Sequence, residues 1–306
     1  MKQQLKLWKK PIAEEIVMIA GWRQWADAGA ISSGLPQYLI DQTGAELIGE
    51  IDPDGFYLFQ IPGTHHLLRP TVRFEEGQRQ FLEVRRNEFY YAGNAEKGVV
   101  IFLGDEPHLG VDRYAATFFE AVQQLSVQQI ASLGGVYGPV PYDKDREIGC
   151  IYSLPEMQPL LQQYAVRFSD YEGGASIGSY LIGTAAQQQI PFLSFYGFVP
   201  NYDFSQLGAG GQEVRIENDY KAWYDLMRRL NRLFELNFNL RDLEQKSQRL
   251  ITAVEEQLDK LAAKSPQIDM HEIMAQISQQ FEERPFAPLD DVWEQGLADL
   301  FDDVDE

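Results

Sequence analysis

Short apolar runs punctuated by glycine or proline recur along the first two thirds of the chain. Ile16–Ala20 ends at Gly21, Ala45–Ile51 lies between Gly44 and Pro53, and Val99–Leu103 ends at Gly104. Ile130–Leu133 ends at Gly134-Gly135, and Phe192–Val199 ends at Pro200. Runs with few polar interruptions suit strands covered on both faces. Between them, Ala30–Gln42, Asp112–Gln124 and Ser176–Gln189 show helical spacing. Strand and helix in alternation predict an α/β domain with a largely parallel central sheet. One stretch breaks the rhythm. Thr71–Phe74 and Gln80–Val84 flank Glu75-Glu76-Gly77, which predicts an antiparallel hairpin.

Beyond the glycine-rich stretch 208–211 the pattern changes. Leu226, Leu230, Leu233, Leu236, Leu240, Leu243, Leu250, Val254 and Leu261 recur at intervals of mostly three, four and seven. That spacing is helical with heptad character. Gly and Pro are absent from 212 to 265, after which Pro266 interrupts, and further helices are predicted over Asp269–Phe281 and Asp290–Phe301. The expected organisation is an α/β domain over residues 1–211 and an acidic α-helical extension over 212–306. The extension's apolar stripe fits either packing on its own core or a partner-binding, oligomerising arm.

Composition narrows the class. With 306 residues, 44% hydrophobic and 12% aromatic, the chain can bury a sizeable core. Cys150 is its single cysteine, which excludes an internal disulfide and a cysteine-rich zinc site and points to a reducing, cytoplasmic setting. The apolar run after Glu15 is shorter than a signal-peptide core, and no stretch approaches the roughly twenty apolar residues of a membrane span. A soluble protein without membrane association is expected. The net charge is −20, and residues 241–306 hold 17 acidic against 6 basic side chains. Such a surface repels phosphate backbones, so nucleic acid is not an expected partner.

Candidate chemistry lies in the loops. Gly174-Ala175-Ser176-Ile177-Gly178 spells the G-x-S-x-G of a nucleophile elbow, which also needs a histidine later in the chain. Only His271 follows Ser176, and it lies within a predicted helix of the extension. Read as a phosphate loop, the same turn lacks lysine after Gly178. What remains is a glycine turn opening a helix, which can receive an anion or be capped from within the protein. Asp105, Glu106 and His108 follow a predicted central strand, where a general acid–base set, a partial metal site or simple helix capping are alternatives. His65-His66 lacks a third metal ligand nearby, so no metal and no cofactor is implied. Trp22, Trp25 and Asp27 form an unusual loop after the first strand.

Taken in order, these loops resemble a family. Gly21-Trp22 with Asp27-Ala28-Gly29, Glu50–Phe56, Arg69-Pro70, Gly104-Asp105-Glu106-Pro107, Leu133-Gly134-Gly135, Pro139-Val140-Pro141, Tyr171-Glu172-Gly173 and Val199-Pro200-Asn201-Tyr202 are similar to the PAC2, proteasome assembly chaperone 2-like, proteins over about residues 14–205. The resemblance implies a three-layer α/β/α fold like that of nucleoside phosphorylases, self-association, and a chaperone-like role in some members. The chain also departs from the family. It ends Val304-Asp305-Glu306 rather than in a hydrophobic-Tyr-any tripeptide, and Pro141-Tyr142-Asp143-Lys144 stands where many bacterial members have P-H-T-R. Ser176 falls where many relatives have glycine.

Two functions are therefore expected in competition. The first is a non-enzymatic, self-associating chaperone or scaffold that binds other proteins. The alternative is a small-molecule enzyme or sensor of the phosphorylase or hydrolase type, with its pocket at the carboxyl ends of the strands. The residues singled out for that pocket are Trp22, Asp27, Gly104, Glu106, Tyr171, Glu172, Gly174 and Tyr202.

Overall fold

The run Ile16–Ala20 lies inside β2 (Glu15–Arg23), seven of whose nine residues are buried, so the strand is covered on both sides. The computed structural model describes residues 4–60, 69–204, 213–265 and 269–286. The other strands are β1 (Leu5–Leu7), β3 (Glu46–Ile51), β4 (Val72–Glu75), β5 (Gln78–Leu82), β6 (Asn87–Gly93), β7 (Lys97–Asp105), β8 (Gln129–Gly138), β9 (Ile148–Tyr152), β10 (Arg167–Phe168), β11 (Phe192–Asp203) and β12 (Glu213–Arg215). The helices are α1 (Gly34–Thr43), α2 (Val111–Gln124), α3 (Gln158–Leu161), α4 (Ile177–Gln187), α5 (Tyr220–Leu233), α6 (Arg241–Lys264) and α7 (Met270–Gln280).

The main sheet runs β1-β3-β6-β7-β2-β8-β11-β9-β10, with β12 paired to β11. Its centre, β7-β2-β8-β11, is parallel, as the continuous apolar runs predict. The margins differ: β1, β3 and β6 pair antiparallel on one side, and β9 and β12 pair antiparallel with β11 on the other. Alternate residues of the central strands feed two cores. Val17 and Ile19 face α1, α5 and α6, whereas Ile16, Met18 and Ala20 face α2 and α4. On the second face Phe118 of α2 lies edge-on to Phe102 at 5.2 Å, and burying one such ring contributes about 2–3 kcal/mol.

The predicted hairpin is present as a separate two-stranded sheet. Glu76 (φ 48°) and Gly77 (φ 81°) make its two-residue turn, the left-handed pair that matches strand twist. Every residue of β4 and β5 is exposed.

The extension departs from the single long pattern that its lack of Gly and Pro suggests. Residues 213–215 pair as a strand, and the helical run divides into α5 and α6, with Glu235 in the left-handed region (φ 49°) just after the break. Leu226, Met227 and Leu230 of α5 sit in the same core as Leu133, Phe195 and Val199. The helix expected over 290–301 lies outside the described residues, as do Pro266 and the glycine-rich stretch.

A buried ionic network pins α5 in place. Arg146 and Asp219 are both fully buried and pair through Nε–Oδ2 (2.8 Å) and Nη2–Oδ1 (3.3 Å). Arg146 Nη1 donates to the carbonyls of Pro141, Tyr142 and Lys144, and its backbone N–H donates to Asp225. Asp219 also caps α5 by accepting from the Ala222 N–H at 3.0 Å. Lys221 bridges Asp225 (2.7 Å) and Asp145. Each nitrogen of the central guanidinium therefore meets an acceptor, as a buried charge requires.

Candidate functional site

The carboxyl ends of the parallel strands meet the loop Gln24–Asp27 and the start of α4. A narrow polar cleft lies there, lined in part by Trp22, Ser32, Glu106, Ser132, Ser176 and Tyr196. Its volume is about 10 Å³, room for roughly one water molecule.

Each wall has a local cause. Trp22 is the last residue but one of β2, with the indole buried against Phe102 and Phe118, and its Nε1 donates to the Tyr114 hydroxyl at 2.8 Å. It is a floor whose polar atom is already used. Ser32 accepts from the Trp22 N–H (2.8 Å) and donates to the Leu133 carbonyl (2.6 Å), joining α1's approach to two strands. Gly135 makes room for the loop, since a Cβ there would lie 2.0 Å from the Ala28 carbonyl oxygen. Gly29 takes a left-handed turn (φ 61°), and its carbonyl accepts from the Asp219 N–H and the Trp223 indole.

Two carboxylates shape the entrance. Asp27 Oδ1 accepts from the Ser32 and Ser33 N–H groups, both at 2.9 Å. Burial pushes its carboxyl up to about 6, against the lowering effect of those bonds. Glu106 accepts from the Ile177 N–H, the first of α4, and from the Trp25 backbone. Burial raises it too, while both hydrogen bonds pull the other way. Ser176 is the N-cap of α4: its Oγ accepts from the Ser179 N–H at 3.2 Å and lies 3.0 Å from the Tyr196 hydroxyl.

This arrangement answers the motif questions raised by the sequence. Ser176 caps a helix, and among the described residues its hydroxyl partners are Ser179 and Tyr196 rather than a histidine base. The helix's anion seat is filled by Glu106 itself. The Asp105–Glu106–His108 group does not converge. Asp105 is buried against Arg23 (2.6 Å) and Arg85 (3.5 Å), while His108 Nδ1 accepts from the Leu58 N–H at 3.1 Å. Neither acid caps α2, whose N-cap is Gly110; Glu106 caps α4 instead. Among the described residues no three His, Cys, Asp or Glu side chains are grouped to hold a metal. His65 and His66 lie outside those residues.

The eight singled-out residues are thus divided. Trp22 and Glu106 line the cleft, and Asp27 braces the loop above it. Gly104 is a packing position, where a Cβ would meet the Phe102 ring at 2.7 Å. Tyr171, Glu172 and Gly174 are exposed at the rim, where Trp25 lies 3.4 Å from the place of a Gly174 Cβ. Tyr202 is elsewhere: it is buried beside Phe204 and donates to the Val140 carbonyl at 2.6 Å. Sequence reasoning missed Ser132, Ser194 and Tyr196. Ser132 and Ser194 hydrogen-bond each other inside apolar strands, and burial raises the Tyr196 hydroxyl. A serine within an apolar run was the available signal in both Ile130–Leu133 and Phe192–Val199.

Fold and site together define an α/β/α protein whose strand-end cleft is closed by its own side chains and rimmed by exposed aromatic groups. The PAC2 family model matches residues 22–258, and the chain belongs to that family. A Mycobacterium tuberculosis proteasome-assembly chaperone homologue shares the fold (TM-score 0.67, 21% identity, 78% of this chain and 94% of that one). So does a PAC2 family protein from Streptomyces avermitilis (0.67, 21%, 82% and 99%). An archaeal proteasome activator from Pyrococcus furiosus matches at 0.57 with 18% identity over 84% of this chain and 97% of that one. No curated protein matches the chain. No helix among the described residues is long and apolar enough to cross a membrane.

Proposed function

We propose that this PAC2 protein is a non-enzymatic, self-associating chaperone or scaffold that binds other proteins through the carboxyl-end edge of its sheet. One contrast carries the reading. The cleft has room for about one water, while at its rim Trp25 is 69% and Tyr171 72% exposed. Rigid aromatic groups standing in solvent are the residue type that anchors protein interfaces. The relatives described as a proteasome-assembly chaperone homologue and a proteasome activator support a chaperone-like role. Affinity capture from a native extract, with the full chain and its Trp25→Ser/Tyr171→Ser variant side by side, tests it. The reading expects proteins retained by the first and lost from the second. Identical profiles would overturn it.

The alternative, a small-molecule sensor or enzyme, draws on one observation: Asp27 and Glu106 are carboxyls raised by burial near the strand ends. A compound that raises the unfolding temperature of the wild-type chain, but not of Glu106→Gln, would favour it.

A further inference from the structure

Two adjacent glycines at the rim each seat an aromatic ring. A Cβ on Gly173 would lie 2.5 Å from Cζ of Tyr171, and one on Gly174 would lie 3.4 Å from Cζ2 of Trp25. The two glycine Cα atoms are about 3.8 Å apart across their trans peptide, so the rings stand as neighbours. Both are held from the protein side. The Tyr171 hydroxyl donates to the Gly174 carbonyl at 3.4 Å, and the Trp25 backbone is bound by the Glu106 carboxylate. Anchors fixed before contact lose little freedom on binding.

What the rings lack indicates what they are for. Among the described residues neither stacks on another ring, and no arginine or lysine lies over either. Elsewhere the chain covers such faces itself: Arg113 sits over Phe56 at 4.8 Å, Arg215 over Tyr137 at 4.5 Å and Lys246 over Tyr38 at 4.8 Å. The carboxylates flanking Tyr171 are open in the same way. Asp170 and Glu172 are exposed, and among the described residues neither side chain is hydrogen-bonded or ion-paired. Residues 24–27 and 169–175 hold three acids, Asp27, Asp170 and Glu172, and no basic residue. The arginines bordering these segments are already committed, Arg23 to Asp105 and Arg167 to Glu147.

An apolar partner would cover the rings but desolvate two carboxylates without a counter-charge. An acidic one would be repelled. A guanidinium suits both features, since it lies flat on an indole or phenol face and offers N–H donors to a carboxylate. We infer that the rim binds its protein partner through an arginine-bearing segment, with the guanidinium on Trp25 and Tyr171 and paired to Asp170 or Glu172. The inference rests on the protein-binding function proposed above and names the chemistry of the partner.

Fluorescence anisotropy with the full chain tests it. The probe is a glycine–serine peptide with two arginines and a neutral fluorophore, and its twin has uncharged citrulline in place of arginine. The arginine peptide is expected to bind about fivefold or more tightly than its twin. Asp170→Asn/Glu172→Gln and Trp25→Ser/Tyr171→Ser should each remove most of that difference, with thermal melts unchanged because all four side chains are exposed. Glu255→Gln/Asp259→Asn, which removes the same charge from exposed positions of α6, should not. Equal binding of the two peptides, or an equal loss in the α6 variant, would overturn the inference. Capture from a native extract separates it from the broader reading. Proteins lost with Trp25→Ser/Tyr171→Ser but kept by Asp170→Asn/Glu172→Gln would overturn the arginine alone, and capture reduced by neither variant would overturn both. An oligomer of the wild-type chain that Asp170→Asn/Glu172→Gln dissociates would place a second copy at the rim and overturn the assignment to a different protein.

Discussion

Glu106 and Ile177 are joined by a hydrogen bond from the first N–H of α4 to the carboxylate at the end of β7. The protein thereby supplies its own anion to the helix terminus that its glycine turn exposes. Replacing Glu106 by Gln keeps an acceptor and removes a charge that burial disfavours more than the helix terminus favours it, so stability at neutral pH should hold or rise by up to about 1 kcal/mol. Glu106→Ala leaves the buried N–H without a partner and should cost about 2–3 kcal/mol. Urea denaturation of the two variants at neutral pH checks the ranking.

Asp27 gives a pH signature of the opposite sign from an ordinary salt-bridged acid. Unfolded, its carboxyl loses a proton near pH 4; folded, it is held up to about 6. Between those values the folded state binds the more protons, so this group's contribution falls as pH rises through the window. Asp27→Asn keeps an oxygen for the Ser32 and Ser33 N–H groups without a charge to desolvate. Stability at neutral pH should rise by about 1–2 kcal/mol and the slope across the window should flatten. Chemical unfolding at a series of pH values reads both.

Arg146 should be among the costliest positions in the chain to change. Arg146→Met leaves Asp219 buried and unpaired, which should cost about 3–5 kcal/mol. The double variant Arg146→Met/Asp219→Asn should lose less than the two single changes together, because no lone charge remains. A double-mutant cycle on unfolding free energies measures the coupling.

Two glycines should respond in opposite directions. Gly135→Ala drives a Cβ into the backbone of Ala28, and a loss of about 2–3 kcal/mol is expected. Gly183 lies within α4 with nothing near its missing Cβ, so Gly183→Ala should gain about 0.5–1 kcal/mol. Thermal melts of the two proteins separate the effects.

The parallel centre was legible because its strands are buried on both faces and read as unbroken apolar runs. β6 was not, since Asn87–Gly93 mixes aromatic, acidic and small residues in a partly exposed marginal strand. The break after α5 carries no Gly or Pro; Glu235 adopts the left-handed turn instead. The site was legible only in part. Glu106 follows a strand that could be read, but its partner Ile177 lies 71 residues further on, and no local pattern encodes that meeting. Arg146 sits in the charged stretch Asp143–Glu147, which reads as solvated loop until Asp219 is brought to it.

The Gly29 carbonyl accepts from both Asp219 and Trp223. One atom from the first tenth of the chain is therefore completed by residues about 190 positions later. Such contacts form late, because the loop that they close is long. During synthesis the sheet emerges while Arg146 still lacks the carboxylate of Asp219, and the part of one core face that α5 and α6 cover is open to water. Only when residues 219–230 have cleared the ribosome can that face close. A nascent chain stalled before this point would be a client for chaperones, whatever role the finished protein has among them.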